Sequence, residues 1–201
     1  DSRTPLLERV RFLAIFTSNL DEFYMKRMGS LKRRVLAGQR NARYDVQAAL
    51  DLIKIIREQV KGLLQMQAKT YKEEILPLLV KNGVHLLNWT SLTAEEQLRA
   101  NQYFRDNVFP ALTPLAVDPG HPFPFLSNLS TSLAVWMTHP DRDERLFARV
   151  KVPKVFPRWI QLSTDEFKGQ YRFISLNELI EQNLGQLFPS MKILGVVPFR
   201  I

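Results

Sequence analysis

The residues best placed to do chemistry lie in one run, Ser18-Asn19-Leu20-Asp21-Glu22-Phe23-Tyr24-Met25-Lys26-Arg27, which continues into Lys32-Arg33-Arg34. Asn19 precedes Glu22 by three residues, the spacing at which a side-chain oxygen can cap a helix start while the acidic side chain reaches back to the cap. A helix that began there would present free amides and the positive end of its dipole to an anionic or nucleotide ligand. The two roles are compatible, because a carboxamide used as a cap keeps spare donors. Lys26 and Arg33, like Arg27 and Arg34, are seven residues apart and share a helical stripe, with Lys32 beside it. Such a stripe is either a solvated face or a track for a polyanion, and both readings stay open.

A second polar concentration is the turn-rich Asp118-Pro119-Gly120-His121-Pro122-Phe123-Pro124-Phe125. His121 could act as a ligand or an acid-base group. The reading preferred on proline spacing is a rigid turn whose aromatic side chains tuck into a core. His85 and His139 stand in strand-like contexts, and the spacing of the three histidines does not suggest a metal site. The chain contains no G-x-x-x-x-G-K-[ST], G-x-G-x-x-G, G-x-S-x-G or H-E-x-x-H motif. No nucleophile is paired with a base, so catalytic residues and metal ligands are both assigned as none.

These residues need elements to hold them. Leu6, Val10 and Leu13 recur at helical spacing behind Pro5, and a second helix is predicted from Ser18 or Asn19 to Gly38, burying Leu20, Tyr24, Met28, Leu31 and Val35. A longer helix is predicted from Asp45 to about Val80 on Val46, Ala49, Leu50, Ile53, Ile56, Val60, Leu63 and Leu64, with Pro77 kinking or ending it. Three helices with short connections imply an antiparallel three-helix bundle. After Gly83 the texture changes. Val84–Leu87 reads as a strand, and Thr93 with Glu96 forms a capping box for a helix to about Val108. Strands are predicted at 131–137, 146–152, 159–162, 171–174 and 192–197, with a helix over 175–187, and the prolines concentrate in this half. The fold class is therefore α+β, a helical domain at 1–83 followed by a partial mixed domain at 84–201.

Composition narrows the function classes. Of a formal net charge of +8, residues 1–43 carry ten Lys/Arg against four Asp/Glu, so the positive field is local to one region. The absence of cysteine excludes disulfides and thiolate metal sites. No stretch reaches the roughly 18 uncharged apolar residues that span a bilayer. The first dozen residues hold too many charges for a signal peptide. Asp1 at the start and an apolar run at Ile201 suggest a fragment.

Three stretches carry a resemblance to a known family. They are Thr4–Phe16 followed by Ser18–Tyr24, then Leu112–Ser130, and finally Leu187-Phe188-Pro189 with Leu194–Arg200. In that order the chain closely resembles the long, multidomain bacterial polyphosphate kinases. The resemblance implies an enzyme that reversibly moves the terminal phosphate of ATP onto inorganic polyphosphate, using Mg2+ and a phosphohistidine. It implies that residues 1–83 are most of a helical N-terminal domain and 84–201 the first part of a head domain that contributes to dimerisation. Asn19 matches the family asparagine of the Asn-Leu-Asp-Glu-Phe motif and inherits contact with ATP, whereas none of His85, His121 or His139 inherits the phosphohistidine. The implied partners are inorganic polyphosphate and ATP or ADP, in a homodimer or homotetramer of the full-length enzyme. The implied setting is cytoplasmic, peripheral membrane association being compatible with it. Nucleic acid is disfavoured as a partner. The contrasting reading is a non-enzymatic basic module that binds nucleic acid or another polyanion.

Overall fold

A computed structural model describes residues 3–38, 45–117, 120–141, 145–162 and 167–201. The chain divides into two compact units, Asp1–Asn82 and Gly83–Ile201, and each is described by itself.

In the first unit, α1 (Leu6–Phe23) runs through a five-residue π turn (Tyr24–Met28) directly into α2 (Gly29–Gly38). This corrects the expected helix start at Asn19, and with it the three-helix bundle: the first two predicted helices are one continuous rod. The physical reason is the lack of a breaker. No glycine or proline lies between Ala14 and Asn19, and the Thr17 hydroxyl is satisfied inside the helix by the Leu13 carbonyl at 3.4 Å. The second rod opens at Asp45, whose Oδ1 accepts from the Ala48 amide at 2.9 Å. It comprises α3 (Val46–Thr70), a π turn (Tyr71–Ile75) and α4 (Leu76–Lys81). Pro77 therefore does not end the helix. Its missing N–H and bulky ring act on the carbonyl of residue 73, and the wider turn around that residue gives the ring room.

The two rods run antiparallel, because early positions of one meet late positions of the other. Arg9 Nη2 donates to Glu74 Oε2 at 3.1 Å, and Gln67 Nε2 donates to the Leu13 carbonyl and to Thr17 Oγ1, each at 2.8 Å. Met28, Ala49, Ile53, Val60, Ile75 and Leu79 are the buried apolar residues described in this unit. Leu50, Leu63 and Leu64, expected in the stripe, are 44%, 45% and 42% exposed. A pair of rods buries one face of each, so the flanking positions of a broad apolar stripe stay open.

The second unit holds two sheets. In one, β1 (Val84–Leu87) pairs in parallel with β6 (Tyr171–Ser175), and β5 (Trp159–Gln161) pairs antiparallel on the other side of β6. In the other, β2 (Pro114–Val117), β4 (Arg145–Lys151), β3 (Thr131–Thr138) and β7 (Lys192–Arg200) form an antiparallel sheet in that spatial order. Period-two alternation sends Leu133, Val135 and Met137 of β3 and Ala148 and Val150 of β4 into a common core. Helix α5 (Ala94–Tyr103), the π turn after it (Phe104–Val108) and α6 (Leu176–Gln182) close that core with Phe104, Val108, Leu176, Leu179 and Ile180. A short α7 (Leu184–Leu187) adds Leu184.

The predicted capping box is present, with Thr93 Oγ1 accepting from the Glu96 amide at 3.2 Å and Glu96 Oε2 accepting from the Thr93 amide at 2.9 Å. Glu96 does more than cap. Arg172 of β6 donates to both of its oxygens, at 2.6 and 3.0 Å, while the guanidinium lies 3.9 Å from the Phe167 ring centroid. Glu96 is fully buried and Arg172 nearly so. Burial pushes the Glu96 carboxyl up, but the hydrogen bonds from Arg172 and Thr93 and the arginine charge outweigh it and hold the carboxyl below its ordinary range.

Candidate functional site

Asn19 lies within α1, and its side chain is exposed. Its backbone N–H belongs to the helical ladder, so neither free amides nor a dipole end is available there. What remains for recognition is the carboxamide itself, a neutral group with both donor and acceptor. One turn further on, Glu22 and Lys26 form an ion pair at i,i+4. The Lys26 hydrogen bond and charge hold the Glu22 carboxyl below its ordinary value.

Beyond Asn19 the π turn decides which side chains face outward. Met28 is 1% exposed, while Met25, Lys26 and Arg27 are exposed beside it. The result is a groove of about 680 Å³ whose lining includes Lys26, Arg27, Arg33 and Arg34 above Phe23, Leu52 and Ile56. Four of the five cations singled out in the sequence thus share one wall, and Lys32 does not join them. Leu52 and Ile56 come from α3, so the groove depends on the pairing of the two rods. Among the described residues no acidic side chain lines it. Phe23 and Tyr24 meet edge to face at 6.1 Å, and Tyr24 is 36% exposed and not in the core as expected.

The His121 loop departs from expectation. Asp118 and Pro119 lie outside the described residues, His121 is exposed, and the aromatics are not tucked into the core: Phe123 is 50% exposed and Phe125 fully so. Phe123 instead lies 6.2 Å from Phe147, which meets Trp136 at 5.3 Å on the outer side of the antiparallel sheet. The reason is register. Trp136 pairs with Phe147 opposite the alternating core positions, so this side of the sheet must be covered by whatever loop crosses it. Of the other histidines, His85 sits half-buried on β1 and His139 accepts from the Asp141 amide at 3.2 Å. Among the described residues no three metal-ligating side chains come together.

The second unit also holds a polar group that the sequence reading passed over. Arg149 is 4% exposed, in the middle of β4. A cation inside the apolar run Leu146-Phe147-Ala148-Arg149-Val150 was the signal available for it.

Comparison with known proteins then bears on the whole. The family model described as "Polyphosphate kinase N-terminal domain" matches residues 1–87, and "Polyphosphate kinase middle domain" matches residues 95–201. The chain belongs to the polyphosphate kinase family. A polyphosphate kinase of Thermosynechococcus vestitus is 42% identical over 204 residues, taking in 100% of this chain and 28% of that protein. Polyphosphate kinase 1 of Chlorobaculum tepidum is 43% identical over 201 residues, covering 98% of the chain and 29% of that protein. The crystal structure of polyphosphate kinase from Porphyromonas gingivalis matches with a TM-score of 0.86 and 24% identity, over 100% of this chain and 29% of that one, which establishes the fold. The chain therefore spans less than a third of the polyphosphate kinases it matches. No described helix is long and apolar enough to cross a membrane.

Proposed function

We propose that this chain is part of an enzyme that reversibly transfers the terminal phosphate of ATP onto inorganic polyphosphate. The carrying observation is the pair of consecutive family matches, 1–87 and 95–201, in one chain. The phosphohistidine of the reaction is assigned outside this chain, and none of His85, His121 or His139 takes that part. Asn19 is assigned as a nucleotide contact. A neutral carboxamide suits that task, since it can read the edge of a base without repelling a metal held by the phosphates. The cationic groove, in this reading, raises the local concentration of a phosphate chain by its field.

Phosphoryl transfer of this class depends on positioning and charge stabilisation. Mg2+ supplies part of that stabilisation when nucleotide is bound. The described residues offer no ligand set that fits it, and no step through the ion is assigned to them. Dimer or tetramer assembly through the second unit and a cytoplasmic setting belong to the same proposal. The test is direct assay of the full-length protein with ATP and Mg2+ for polyphosphate, and with polyphosphate and ADP for ATP. Formation of both products is expected, and formation of neither overturns the reading. A protein that made neither but bound DNA and polyphosphate alike, with one steep salt dependence, would be the basic module instead.

A further inference from the structure

The second unit buries two arginines and treats them differently. Arg172 is met by a bidentate carboxylate and an aromatic face. Arg149 has neither. Its Nε donates to Ser132 Oγ on β3 at 3.1 Å and its Nη1 reaches the Phe125 carbonyl at 3.5 Å. A guanidinium carries five N–H donors, so these two neutral acceptors leave most of its capacity unused, and among the described residues no carboxylate pairs with it. Burying a cation on those terms is unfavourable unless an anion completes the site.

The space for that anion is next to it. Arg149, Lys151, Lys154 and Thr113 line a cavity of about 390 Å³, with Leu115 and Val155 at its sides. Among the described residues its lining includes no acidic and no aromatic side chain. At about 30 Å³ per water, the space exceeds what one phosphate group needs. Lys151 Nζ already donates to Ser127 Oγ at 3.1 Å, which keeps its charge beside the loop that also supplies the Phe125 carbonyl. With no aromatic side chain among its described lining residues to stack a base, the cavity favours a bare phosphate chain over nucleic acid.

We propose that this cavity binds a short run of inorganic polyphosphate, with Arg149 as the buried anchor and Lys151 and Lys154 as flexible charges at its rim. The choice of ligand rests on the polyphosphate reading of the family, while the anion site itself rests on the buried arginine and the lining. Calorimetric titration of inorganic tripolyphosphate into the chain tests it. The double substitution Lys151→Gln with Lys154→Gln changes two exposed side chains, so the fold should survive with an unchanged melting curve. Binding should weaken at least roughly tenfold, as expected for two charge-assisted contacts. Arg149→Met should abolish the same binding. Equal affinity in the double variant and the parent, or loss of binding only on substitution of Arg33 and Arg34, would overturn the site. So would competition by a single-stranded oligonucleotide at equal phosphate concentration. Failure of the functional reading is separable: a full-length protein that forms no polyphosphate, combined with tripolyphosphate binding lost in the double variant, leaves the site standing.

Discussion

The two units solve the problem of stability with different materials. The second closes a continuous apolar core between sheets and helices, and it can therefore hold a buried ion pair, Glu96–Arg172, with both carboxylate oxygens hydrogen-bonded. The first is a pair of rods with buried residues strung along a single seam and with Leu52, Ile55 and Met66 left 44%, 55% and 64% exposed. Its polar chemistry is correspondingly at the surface: Glu22–Lys26 is an exposed pair, and Arg27, Arg33 and Arg34 line an open groove. The Glu96–Arg172 pair holds structure, whereas the groove cations of the first unit stand open at the surface. The same residue types thus differ in consequence according to the layer count around them.

The contrast is sharpest in the ion pairs. Glu96→Ala should destabilise the second unit by about 3–5 kcal/mol, because it strands a buried guanidinium and removes the Thr93 cap bond. Denaturant unfolding checks this, and a loss below about 1 kcal/mol would erase the distinction between the units. The pH dependence has a definite sign. The folded Glu96 carboxyl lies below its unfolded value of about 4.3, so its contribution is complete above that value. It is lost as pH falls through the folded value. Acid should therefore loosen the second unit in the range below about pH 4, followed by near-ultraviolet circular dichroism. Glu22→Gln should leave the first unit's melting curve where it is, since that carboxylate is exposed.

Smaller effects belong to the first unit. Ile53→Ala should cost about 2 kcal/mol, the low end for such a truncation, because a one-seam site can collapse around the gap. A cost equal to that of a fully enclosed residue such as Phe104 would mean that the seam is packed like a core. Asp45→Ala should cost about 1 kcal/mol through the lost cap on the second rod, read from helical circular dichroism on thermal unfolding.

How much of this was legible in the sequence varied with the range of the interaction. The β-prone run 131–137 and the Thr93-x-x-Glu96 box are local patterns, and both elements form where these patterns stand. The bond from Glu96 to Arg172 spans 76 residues and leaves no local trace. Strand β2 was hidden because Pro110, Pro114 and Pro119 punctuate it, yet an edge strand tolerates proline at its first position. The π turns answer to packing and to Pro77, which periodicity alone does not resolve. Asparagine is a common cap, but nothing ahead of Asn19 stops a helix, and the residue lies inside α1. The cationic stripe was visible as spacing, but its gathering into a groove required α3 opposite it.

The central claim is that Asn19 serves the ligand and not the helix, and Asn19→Ala in the full-length protein tests it most directly. Alanine is the better residue inside a helix, so the melting curve should stay in place or rise slightly. The KM for ATP should rise several-fold, roughly tenfold at most for a lost neutral hydrogen bond. A melting temperature lowered as by a lost cap, with unchanged ATP affinity, would contradict the account.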